Sequence, residues 1–320
     1  MGEKFIKRFG IPESAAPYVD LLFSPAEVAF VEAAPEGPFT AADVADLVEG
    51  DAAAFLDACY RRGVVSLAPA PDASAAPDAP PAPDAPAYVV ANFYARLDVA
   101  CVSEQEAYGR IPAEARRAID AWYFDAYYQS LDPDPAVRPT QDRVLTLQET
   151  LDLIDADDRP VYLGNCDCRS LGGDCGLPTR TCLSYRVGPN TFADRGVSER
   201  VSKERAKQVV RDADRAGLMH TANPNGICNC CGDCCYLFRS QRRRGSQGFW
   251  PESPYVISFD AGRCVGCGRC VQRCHFGVFS REGRTVTADT STCVGCGICA
   301  NTCPAHALEL VGRSEPCPAR

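Results

Sequence analysis

Apolar positions recur at helical spacing most plainly in residues 203–216, where Ala206, Val209, Val210, Ala213 and Ala216 share one face. Ser202 stands ready as the N-cap of that helix and Gly217 closes it. Thr146 to Asp155 is amphipathic and Ile111 to Tyr128 is aromatic-rich, so both predict helices, kept apart by Pro133, Pro135 and Pro139. The stripe Trp122, Tyr123, Phe124, Tyr127 and Tyr128 reads as packing surface rather than a cofactor box. Nearer the N-terminus three short helices are expected: Ser24-Pro25 opens the first, Thr40 caps the second through Val48, and Asp51 caps the third through Arg62, with Gly63 as its stop. Val64 to Leu67 then suits a strand and Ala87 to Tyr94 its antiparallel mate. Pro160 to Gly164 reads as a short buried strand that delivers the chain into Cys166-Asp167-Cys168-Arg169.

Three helices followed by a hairpin resembles a winged-helix domain, placed at residues 1–110. Between its strands, residues 68–86 are almost entirely Ala, Pro and Asp, which cannot build a core and predict a disordered wing tip. The resemblance implies DNA binding, but the third helix starts Asp51-Ala52-Ala53-Ala54-Phe55 and offers no Arg, Lys, Asn or Gln to a base edge. Nucleic acid is therefore not the expected partner, and a docking or structural role is favoured.

Length and charge sharpen this picture. At 320 residues the chain has room for two or three folding units. Residues 1–100 hold six Lys and Arg against fifteen Asp and Glu, so the whole net charge of −9 sits there while the remaining 27 and 27 cancel. Such a field repels phosphate backbones and favours a basic protein surface. No apolar run suits a membrane span and residues 1–20 do not read as a leader, so a cytoplasmic location is expected. Twenty cysteines in a reducing compartment point to metal ligation rather than to disulfides.

Eight of the cysteines carry the strongest signal. Cys264, Cys267, Cys270 and Cys274 repeat the spacing of Cys293, Cys296, Cys299 and Cys303, a C-x2-C-x2-C-x3-C run written twice and ending Cys303-Pro304. Tight x2 spacings wrap three thiolates around one face of a cubane, and the intervening glycines free backbone N–H groups for the sulfides. The segment from Tyr255 to Leu310 resembles the bacterial two-cluster ferredoxins. That resemblance implies two [4Fe–4S] clusters, one on Cys264, Cys267, Cys270 and Cys303, the other on Cys293, Cys296, Cys299 and Cys274. It also implies paired terminal strands at Val256 to Phe259 and Ala307 to Leu310. The sequence departs from the family at His275, where proline is usual, and His275 is expected to be a surface side chain.

Nine more cysteines lie upstream: Cys166, Cys168, Cys175, Cys182, Cys228, Cys230, Cys231, Cys234 and Cys235. Free thiols at such density oxidise or scavenge metal, so a metal centre is expected, with donors for one four-cysteine cluster and spares, or for two sites. A further [4Fe–4S] cluster is favoured, with zinc the alternative. His220 is expected to be a local hydrogen bonder and Arg169 either a neutraliser of cluster charge or a surface arginine. The elements Cys166 to Arg169, Cys175 to Leu183, Gly217 to His220 and Cys228 to Cys231 resemble those of a group of anaerobic bacterial ferredoxin-type proteins, which supplies architecture and no reaction. Cys59 and Cys101 read as buried small hydrophobes and Cys317 as a tail thiol. The basic run Arg239, Arg242, Arg243 and Arg244 reads as a docking patch or a solvated loop.

The expected fold class is a multidomain α+β chain: the winged-helix-like domain, a helical linker at 111–158, a Cys-rich metal-binding middle domain at 159–246, and a bacterial-ferredoxin-like dicluster domain at 247–320. No nucleotide loop, dinucleotide fingerprint or nucleophile elbow is present, which favours a non-catalytic electron carrier serving a partner oxidoreductase. Two other classes compete: a redox- or metal-responsive regulator with the winged helix as output, and an oxidoreductase with a catalytic cluster on the upstream cysteines.

Overall fold

The computed structural model describes residues 2–69, 86–173 and 175–313, so most of the Ala/Pro/Asp insert and Cys317 lie outside the described residues. The chain forms two compact units, residues 1–123 with 187–198, and residues 124–186 with 199–320.

Unit 1 opens with α1 (Glu3–Phe9), α2 (Val19–Leu22) and α3 (Pro25–Ala33). Ser24 and Glu27 form a reciprocal capping box at the start of α3, as a Ser-x-x-Glu entry dictates. Residues 40–48 differ from expectation. Thr40 turns its N–H and hydroxyl onto Asp43 Oδ2, and only a 3-10 helix, Ala42–Leu47, follows. Asp51 caps α4 (Ala52–Arg62) by accepting from the N–H groups of Ala53 and Ala54, and Gly63 ends it at φ +75°. The strands β1 (Val65–Leu67) and β2 (Tyr88–Val90) pair antiparallel. The second strand is shorter than the sequence implied because Asn92 caps a helix, accepting from Ala95 N–H, and the chain continues as α5 (Phe93–Ser103), α6 (Gln105–Gly109) and α7 (Ala113–Gln129). Phe5, Phe9 and Phe23 pack with centroid distances of 5.0–5.7 Å in the core.

The inserted segment 187–198 is stitched into unit 1. Arg195, 4% exposed, donates to Val65 O and Ser66 Oγ at 3.1 Å, with its guanidinium 4.4 Å from the Tyr60 ring centroid. Asn190 accepts from Leu67 N–H and donates to Leu67 O at 2.8 and 2.9 Å.

Unit 2 is built on a six-stranded antiparallel sheet formed by β3 (Arg143–Leu145), β4 (Val161–Gly164), β5 (Cys182–Ser184), β6 (Glu199–Val201), β7 (Met219–Asn223) and β8 (Gly226–Cys230), in the order β3-β7-β8-β5-β4-β6. Two helices cover one face: α8 (Leu147–Ala156), opened by a Thr146–Glu149 capping box, and α10 (Lys203–Ala216), capped by Ser202 and closed by Gly217. Leu151, Ile154, Val209 and Val210 of these helices pack on Val161, Leu163, Leu183 and Ile227 of the strands. Between β4 and β5 lies α9 (Asp167–Gly172), and α11 (Tyr236–Arg244) follows β8.

The arginine run is thus helical rather than a solvated loop. Arg244 is 9% exposed and donates to Asp134 O at 2.6 Å, Arg243 pairs with Asp125 at 2.6 Å, and Arg239 stacks 4.1 Å from the Phe124 ring centroid.

The C-terminal part of unit 2 pairs β9 (Tyr255–Phe259) with β12 (Leu308–Gly312) and carries α12 (Arg269–Arg273) and the hairpin of β10 (Phe279–Glu282) with β11 (Thr285–Ala288).

Candidate metal centres

Two cysteine-walled cavities lie inside this last α+β frame. One is lined by Cys264, Cys267, Cys270 and Cys303 with Phe259, Val286 and Leu308; the other by Cys274, Cys293, Cys296 and Cys299 with Ile257, Phe276 and Ile298. Each takes three thiols from one loop and the fourth from the other, because the antiparallel β9–β12 pair folds the two runs head to tail. Positive φ at Gly266 (+68°), Gly268 (+75°), Gly295 (+65°) and Gly297 (+78°) curls the loops around the cavities. At two of these glycines the fit is closed to any side chain: a Cβ on Gly266 would sit 2.1 Å from Arg284 O, and one on Gly295 2.2 Å from Tyr255 O. Backbone N–H groups already point at sulfur, Gly266 to Cys264 Sγ, Gly295 to Cys293 Sγ and Ala307 to Cys303 Sγ, each 3.4 Å. Burial pushes the Cys296 thiol up to about 12 and raises Cys270 and Cys299, so thiolates here need a cationic core to offset desolvation. The donors, cavities and N–H groups fit a cubane in each place. Cys267 is exposed, while Cys293 and Cys299 are buried.

Strand alternation explains the upstream group. Leu183 and Ile227 point to the helices, so Cys182 on β5 and Cys228 and Cys230 on β8 point to the opposite face, with Leu183 and Ile227 directly paired across the two strands. Cys182 and Cys228 come within hydrogen-bonding reach, as do Cys228 with Cys230, and Cys230 with Cys235 at the start of α11. Cys166 and Cys168, delivered by β4 to the first turn of α9, are free thiols within hydrogen-bonding reach of each other and lie near Cys235. Six thiols therefore share one region. The remaining three stand together elsewhere: the sulfurs of Cys175, Cys231 and Cys234 lie within 4.8 Å of one another, beside Leu218 and Leu177. The Cys231 thiol is lowered to about 4, by its bond from the Cys234 thiol first and then by the N–H groups of Cys234, Asp233 and Cys235.

Arg169 is no surface residue. It is 2% exposed and donates to Pro178 O, Asn229 O and Thr181 Oγ1 at 2.9, 2.8 and 2.6 Å, all neutral acceptors. Burial alone would lower its pKa, but the sulfurs of Cys166, Cys230 and Cys231, the last within hydrogen-bonding reach of the guanidinium, raise it. His220 is fully buried on β7, with Nδ1 2.6 Å from Asn229 Oδ1 and Nε2 3.8 Å from Asp214 Oδ1, and it joins none of the thiol groups. Asn229 went unremarked in the sequence, yet it positions both Arg169 and His220 and donates to Thr181 O at 2.6 Å.

His275 also differs from expectation. Its Nε2 lies 2.8 Å from Gly217 O at the end of α10, and a Cβ on Gly232 would meet the His275 side chain at 2.3 Å. With Arg273 donating to Arg215 O at 2.7 Å, the two neighbours of Cys274 cap the α10 C-terminus.

Interleaved four-cysteine chambers on a β-paired frame define an iron–sulfur module of the ferredoxin type. The family described as 4Fe-4S dicluster domain matches residues 263–307, which supports iron–sulfur clusters and suggests electron transfer to a redox partner. No curated protein and no solved structure matches the chain. Among the described residues no helix is long and apolar enough to cross a membrane.

Proposed function

We propose that this chain is an electron-transfer protein or subunit that relays low-potential electrons to a partner oxidoreductase. The observation that carries the reading is the pair of cavities, each walled by four cysteines drawn from both loops. Cys264, Cys267, Cys270 and Cys303 would hold one [4Fe–4S] cluster, and Cys293, Cys296, Cys299 and Cys274 the other; such clusters supply reversible one-electron chemistry. The protein's own contributions are thiolate ligation, N–H bonds that spread the sulfur charge, and apolar walls that exclude water. The six thiols on the sheet face offer more than the four donors of a third [4Fe–4S] cluster, with Arg169 as buried counter-cation.

The N-terminal helices and the β1–β2 hairpin would form a winged-helix-like module used for docking or structure. At its start α4 exposes Ala53 and Ala54 where a DNA reader needs polar side chains, which supports a protein partner over nucleic acid.

The test is anaerobic preparation of the full chain with iron and acid-labile sulfide assays. About eight of each per chain answer to the two quartets, and about twelve to the quartets with a third cubane. Reversible bleaching by dithionite is expected, and Cys274→Ser should cost about four irons. Colourless, iron-free material would overturn the proposal.

A further inference from the structure

The nine upstream cysteines do not form one group, and the smaller subset has the wrong size for a cubane. In a cubane each cysteine binds a different iron, which spreads the ligand sulfurs widely. Correspondingly, among the described residues the sulfurs of Cys175, Cys231 and Cys234 lie within 4.8 Å of one another, whereas neither C-terminal quartet brings three sulfurs so close and the other close donor group, Cys166, Asp167 and Cys168, holds only two. A single tetrahedral metal with bonds of about 2.3 Å to sulfur brings its ligand sulfurs to about 3.8 Å of each other, inside that limit.

We propose that Cys175, Cys231 and Cys234 bind one zinc ion, separate from the iron–sulfur centres, through three thiolates and a fourth ligand that is not a cysteine. The ligand pattern is built for a thiophilic cation. Cys231-Gly232-Asp233-Cys234 is a two-residue chelate loop, its N–H from Cys234 donates to Cys231 Sγ at 3.2 Å, and Cys175 reaches it from the turn after α9. Cys231 is fully buried and Cys234 is 7% exposed, so the thiolates are sheltered, while Cys175 is half-buried at the mouth. Among the described residues no other cysteine, histidine or carboxylate joins the three.

Arg169 explains why two centres can stand so close. Arg169 is 2% exposed and lies within hydrogen-bonding reach of Cys231 as well as of its three oxygen acceptors, and a guanidinium so buried is expensive unless anions surround it. Cys166 and Cys230 of the six-thiol group and Cys231 of the three-thiol group each act on its charge, so one cation can serve both. His275 packs on Gly232 inside the chelate loop, which ties this site to the loop of Cys274 and gives it a structural reason to be filled.

This inference rests on the upstream cysteines being metal ligands and refines which metal each subset takes. The experiment uses the full chain, purified without oxygen or added thiols, and measures zinc, iron and sulfide in the parent, in Cys175→Ser and in Cys175→His. The parent should hold about one zinc, with a zinc K-edge spectrum of about three sulfurs at roughly 2.3 Å and one lighter atom. Cys175→Ser should lose that zinc while iron and sulfide stay at parental values, and Cys175→His, which keeps a zinc ligand, should retain it. A parent without zinc, a four-sulfur shell, zinc unchanged in Cys175→Ser, or loss of iron in that variant would each overturn the assignment. The unchanged iron and sulfide of the serine variant also show that it has folded. Parental iron independently reports on the relay, so failure of one reading is not failure of the other.

Discussion

At the scale of single residues, the fold spends its sharpest constraints next to sulfur. Gly10 and Gly295 have nearly the same φ, +69° and +65°, yet nothing lies within 4 Å of a Cβ on Gly10, while one on Gly295 meets Tyr255 O at 2.2 Å. Gly10→Ala should therefore cost about 1 kcal/mol, the price of a left-handed residue. Gly295→Ala adds overpacking of about 3 kcal/mol and should shed iron, read by thermal unfolding and iron assay. Arg169→Met removes a buried cation and leaves Pro178 O, Asn229 O and Thr181 Oγ1 without their donor. We expect a loss of about 3 kcal/mol in chemical unfolding, with upstream metal released first. None of this was readable from Arg169 alone, because burial and partners depend on the strands that enclose it. The grouping of the eight C-terminal cysteines into two interleaved quartets was readable, since the run that brings them together is written in local spacing.

At the scale of elements, α8 is held to the rest of unit 2 by its first turn. Burial would raise the Glu149 carboxyl, but the N–H and hydroxyl of Thr146, the hydroxyl of Tyr255 and the charge of Arg143 hold it below its ordinary 4.5. A carboxyl lowered on folding stabilises the fold above its unfolded value, and that contribution fades as pH falls through the folded one. Glu149→Gln should flatten this slope, so the denaturant midpoints of parent and variant should converge on acidification below about 4.5; comparing the two chains cancels acid loss of metal common to both. The same scale shows where sequence reading ran short. Ser24, Asp51 and Ser202 each announced a helix, because a cap is a local hydrogen bond, whereas Thr40 announced one and only a 3-10 turn followed. The six-and-three division of the upstream cysteines was invisible, since it follows from β5–β8 register, which places Leu183 opposite Ile227 and so Cys182 beside Cys228.

At the scale of the molecule, chemistry and charge are segregated. All seventeen candidate ligands belong to unit 2, while Cys59 and Cys101 of unit 1 are buried thiols, Cys59 pushed by burial up to about 12 and inert at neutral pH. Iron chelation or air should lower the unfolding transition of unit 2 by many degrees and leave that of unit 1 in place. A calorimetric scan before and after chelation distinguishes this from one transition that moves as a whole.

The segment 187–198 carries a consequence for how the chain is made. Tyr60, Val65, Ser66 and Leu67 find their polar partners on Asn190 and Arg195, more than a hundred residues later in synthesis. On the ribosome the first unit must wait, half-finished, until that stretch emerges, and by then Cys166, Cys168, Cys175 and Cys182 are already outside the tunnel. Closure of the acidic front thus falls in an interval of translation when those four thiols are exposed while Cys228, Cys230, Cys231, Cys234 and Cys235, their neighbours in the finished fold, have yet to emerge.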